Sequence, residues 1–109
     1  MSLSYGCEKF YNAVSTAMVS DESLQKRLED VYSSGLDRLG GADVPLNVWD
    51  RLQELKRAAT SAVVNVGSIH ATTSAMSDRD ASKWLEQIAG MFKDVAEAYG
   101  VEKRDEGMR

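Results

Sequence analysis

One histidine and one cysteine are the residues of this 109-residue chain best suited to nucleophilic or metal chemistry near neutral pH. His70 could hold a proton, ligate a metal or accept a phosphoryl group. Cys7 could attack a substrate only beside a base that a third group orients, and nothing in the local sequence supplies one. One His and one Cys, sixty-three residues apart, make no zinc set. Carboxylate-bridged metal sites in helical bundles place Glu three residues before His on two helices. Here that position is Gly67. Gly40-Gly41 lacks both the spacing and the following lysine of a phosphate-cradling loop. The sequence therefore predicts no metal, no cofactor and no catalytic residue set, and Cys7 reads as buried filler on an apolar stripe.

His70 is followed by Ala71, Thr72, Thr73, Ser74 and Ala75. These small residues resemble the segment after the active imidazole of histidine-phosphotransfer domains, which carry a phosphorylatable histidine on a bundle helix. Such domains typically place lysine at +3 and glycine at +4, where Thr73 and Ser74 stand here. The resemblance covers about six residues and implies a signalling protein that uses His70. The competing reading is an imidazole packed in the fold or hydrogen-bonded at an interface.

The surroundings of His70 carry the strongest pattern. Ala58 to Ser77 is twenty residues without a formal charge, in a chain that is 28% charged. An element that presents no charge in any direction should be enclosed on most sides, by its own domain or by a partner. Gly67, Ala71 and Ala75 recur every four residues, with Ser68 and Thr72 beside them, and Ala58 and Ala62 extend a similar face upstream. Small residues at this spacing let two helix backbones approach closely. Trp49 and Trp84 are candidate anchors, at a partner contact or in the core. The segment is long enough to cross a bilayer, but its seven Ser or Thr, with Asn65 and His70, leave too few strongly apolar residues for insertion.

Four elements must position these residues. Cys7, Phe10, Tyr11, Val14, Ala17 and Met18 fall at helical intervals, predicting a helix from about Ser4 to Val19 capped by Ser2 or Ser4. Ser20, Asp21 and Glu22 read as the start of a second helix, with a Glu22–Lys26 pair. Its apolar positions run Leu24, Leu28, Val31, Tyr32, Leu36 and Leu39, and Gly40-Gly41 ends it. Gly35, inside that pattern, reads as a close-packing position. Asp43 or Val44 caps a third helix whose first turn holds Pro45 and whose stripe is Leu46, Trp49, Leu52, Leu55 and Ala59. The β-branched residues beyond Ala58 favour strands. No turn precedes them and no partner strand is apparent, so the helix is expected to continue, bending near Gly67-Ser68. Unbroken from Pro45 to Ala75 it would span about 46 Å. A last helix starts at Ser77 with the stripe Ala81, Trp84, Leu85, Ile88, Met91, Phe92, Val95 and Tyr99, and stops at Gly100.

The expected fold is all-α, an antiparallel four-helix bundle with a long third helix, as one domain over 1–100 and a charged, flexible tail over 101–109. A net charge of −4 argues against general nucleic-acid binding, which needs a basic stripe. No basic-then-apolar leader is visible, so the cytoplasm is the default location. The expected function is a non-catalytic protein–protein interaction module, a small adaptor, inhibitor or regulator. Its partner is a protein, first of all a second copy, and its surface is Trp49, Ala58, Ala62, Gly67, Ser68, Ala71, Thr72 and Ala75.

Overall fold

The computed structural model describes residues 2–59, 73 and 75–107. The protein is an all-α bundle, and among the described residues there is no strand. α1 spans Leu3–Val19, and Ser2 caps it by accepting from the Tyr5 N–H at 3.2 Å. α2 spans Leu24–Ser33. It begins later than the Ser20-Asp21-Glu22 signal suggests, because Ser23 stands directly before Leu24 and its Oγ accepts from Lys26 N at 3.1 Å. Ser20 Oγ instead closes a turn on Glu22 N. The guanidinium of Arg27 donates to the Ser20 and Glu22 carbonyls at 3.1 and 3.2 Å, satisfying acceptors that a sharp corner would orphan. Lys26 pairs with Glu29 and Asp30, not with the expected Glu22.

α2 also ends sooner than its apolar spacing implies. Gly35 has φ +145°, a conformation open to glycine at little cost, and it breaks the helix before Leu36. Two short 3-10 turns follow, Leu36–Arg38 and Gly41–Asp43. Leu36 and Leu39 still reach the core, now from turns. Asp43 is wholly buried: its Oδ2 accepts from Gly40 N at 2.9 Å, and Oδ1 has no hydrogen-bond partner. The second turn lies against α1 where Gly6 leaves room, since a Cβ at that position would overlap the Asp43 carbonyl.

α3 spans Leu46–Ala59 and opens with Trp49 N donating to the Pro45 carbonyl at 2.9 Å. Val48, Leu52, Leu55 and Ala59 face the core, while Leu46 is 76% exposed. The continuation of the third helix beyond Ala59, with its bend, lies outside the described residues apart from Thr73 and Ala75, which are helical. α4 spans Asp78–Gly107 and begins where expected, with Ser77 Oγ accepting from Asp80 N. It does not stop at Gly100. One interior glycine costs only about 1 kcal/mol, and Glu102, Lys103 and Arg104 beyond it are good helix formers. At 30 residues, α4 is the longest described helix, about 45 Å.

Phe10, Leu28, Val31, Val48, Leu52, Leu55, Ile88, Met91 and Val95 form one core shared by all four helices. α1 packs on α2 and α4, and α3 packs on α4. Gln25 Nε2 donates to the Met76 carbonyl at 3.0 Å and to Asp78 Oδ1 at 2.7 Å, tying the start of α2 to the start of α4.

Candidate interaction surface

α1 carries more apolar surface than its core contact uses. Gly6, Phe10 and Ala13 are buried, and Ala17 packs beside them. Cys7, Tyr11, Val14 and Met18 follow at spacings of four, three and four along an adjoining line. Cys7 and Val14 are half-buried, but Tyr11 is 61% exposed, Met18 79% and Val19 85%. The stripe read from sequence thus merges two lines, and its outer members Tyr11 and Met18 are not core residues. The reason is angular: an apolar arc this wide exceeds what one helix can bury against its neighbours.

The flank extends onto α4. The Tyr11 and Phe92 rings meet at 6.3 Å between centroids, tilted by 57°, a favourable edge-on arrangement. Ala89 and Ala96 lie one turn to either side of Phe92, exposed and half-buried. Nearby Lys93 and Glu97 neutralise one another at 3.4 Å. From Phe10 to Ser20 no residue bears a formal charge. Burial pushes the Cys7 thiol up from its ordinary value, so the thiol is a poor nucleophile at neutral pH.

The residues singled out by sequence are placed as follows. Trp49 is half-buried against the core, with the Lys56 ammonium 5.2 Å from its ring centroid. Lys56 also donates to the Leu39 carbonyl at 3.0 Å, so the indole helps fasten the turns to α3. Ala58 is half-buried in the last turn of α3, and Ala75 is exposed. Ala62, Gly67, Ser68, Ala71 and Thr72 lie outside the described residues, as does His70. Thr73, the neighbour in the phosphotransfer comparison, is buried. Among the described residues no three His, Cys, Asp or Glu side chains converge as a metal site. No helix among them is long and apolar enough to cross a membrane.

Sequence reading missed the flank because Tyr11 and Met18 fit the core periodicity. The available signal was Gly6 and Ala13, small residues one turn from Phe10 that mark where another backbone comes close. No family model, curated protein or solved structure matches this chain.

Proposed function

We propose that this chain is a non-catalytic protein–protein interaction module that associates with a second copy of itself. The observation that carries the reading is the uncovered apolar flank of α1: Tyr11, Met18 and Val19 stand in solvent beside Phe92. A face free of formal charge from Phe10 to Ser20 can meet its own copy across a twofold axis without like-charge repulsion. Burying such side chains contributes about 1.5 kcal/mol or more each, and six of them act across the axis. Their total falls within the ~4–15 kcal/mol that association costs, so this flank can nucleate a contact but needs neighbours to complete it. The uncharged segment from Ala58 to Ala75 belongs to the same reading as a further contact face.

Light scattering coupled to size exclusion, run across a concentration series, tests this. A dimer is expected, and Met18→Glu should shift it toward monomer, because the substitution places two carboxylates near the axis. The variant alters a side chain that is 79% exposed, so the fold is expected to persist. A strict monomer at high concentration, or a dimer indifferent to Met18→Glu, would overturn the proposal for this face.

A further inference from the structure

α3 and α4 border a cavity of about 320 Å³, lined by Arg51 and Glu54 from α3 and by Lys83, Trp84, Gln87 and Met91 from α4. Its size lies at the lower end of the range of small-molecule sites. Buried Met91 and half-buried Trp84 give it an apolar side. Its polar groups differ in how they are held. Arg51 is fixed: Nη1 donates to Asp94 Oδ2 at 2.8 Å. Its Nη2 reaches the Gln87 backbone and side-chain oxygens only at 3.5 Å, the outer limit of a hydrogen bond, and so keeps donor capacity. The guanidinium can lie there because residue 90 is glycine. A Cβ at that position would stand 3.0 Å from Nη2.

Lys83 and Glu54 are the opposite case. Both are exposed, they come from different helices, and neither has an ion-pair or hydrogen-bond partner among the described residues. Elsewhere Lys26 and Lys93 each find a carboxylate on their own helix. The cavity therefore offers a fixed guanidinium, an unpaired ammonium, an unpaired carboxylate and an indole within one small volume. A lone anion would meet Glu54, and a lone cation would meet Arg51 and Lys83. A zwitterion with a flat apolar body satisfies all four.

We propose that the α3–α4 cavity binds a free aromatic α-amino acid. Its carboxylate lies on Arg51 and Lys83, its ammonium on Glu54 and its ring against Trp84 and Met91. This reading stands independently of the dimer.

Three probes titrated into the 15N-labelled full chain test it: L-phenylalanine, 3-phenylpropionate (no ammonium) and phenethylamine (no carboxylate). Saturable shifts are expected with L-phenylalanine, centred on the Trp84 indole N–H and the amides of residues 51–54 and 83–91. Both truncated probes should bind at least about fivefold more weakly, the factor expected for losing an exposed charge contact. Glu54→Gln should weaken L-phenylalanine about fivefold and leave 3-phenylpropionate unchanged. Lys83→Gln should weaken both. Unchanged amide positions away from the cavity verify that each variant is folded. Absence of saturable shifts with L-phenylalanine overturns the proposal. So does equal binding of either truncated probe, or shifts centred on another part of the molecule.

Discussion

Individual residues here are often constrained by what lies against them more than by their own preference. Tyr32 is an example. Burial, with the Asp37 carboxylate as the smaller cause, raises its phenol above the ordinary value. The folded state therefore holds the proton more tightly than the unfolded chain. Below the unfolded value, about 10, both states are protonated and the group contributes no pH dependence. Above it the unfolded chain releases its proton first, so stability falls as pH rises. Urea midpoints of the wild type and Tyr32→Phe, measured from pH 9 to 11, should diverge. The wild type should lose stability more steeply, and parallel curves would contradict the burial argument. Trp49 shows the same lesson in a different form. Sequence marks it as an anchor, and the fold spends it internally, between the core and the Lys56 ammonium.

At the level of elements, what the sequence made legible was the number and rough position of the helices. Ser2, Ser77 and the apolar spacings of α2 and α4 were sufficient, because caps and periodicity are local properties. What escaped was phase and termination, which depend on partners far along the chain. Gly35 looked like a packing position inside a continuing stripe, yet its left-handed backbone ends α2 and turns Leu36 inward by another route. Val48 displaced Leu46 from the core for a similar reason: both fit a helical stripe, and only contact with α4 decides between them. The flank of α1 was visible in composition but not in role. The α3–α4 cavity was invisible, since Arg51 and Asp94 lie forty-three residues apart. The start of α2 gives a sharp test. Ser23→Ala removes the hydroxyl that caps Lys26 N and should cost about 1 kcal/mol. Ser20→Ala disturbs only an exposed turn and should stay within about 0.5 kcal/mol. Chemical denaturation of the two variants distinguishes the observed start from the one sequence suggests, and equal losses would contradict the observed cap.

For the molecule as a whole, α4 is the member that contacts each of the other three helices, and it carries the tie to Gln25, the Arg51 pair and the Phe92 contact with Tyr11. If a second copy covers the α1 flank, stability is linked to concentration by mass action. The thermal midpoint should then rise with protein concentration in the wild type and stay flat in Met18→Glu. A flat wild-type response over a hundredfold range would speak against self-association. The pocket that Gly6 leaves for the Asp43 carbonyl has a consequence for how this sequence can drift. Alanine is ordinarily the safest replacement inside a helix, and at Gly100, with open space around it, it should be welcome. At position 6 the same methyl group collides with main chain, so a library of random variants sorted for foldedness should keep glycine there while freely losing it near the far end of α4.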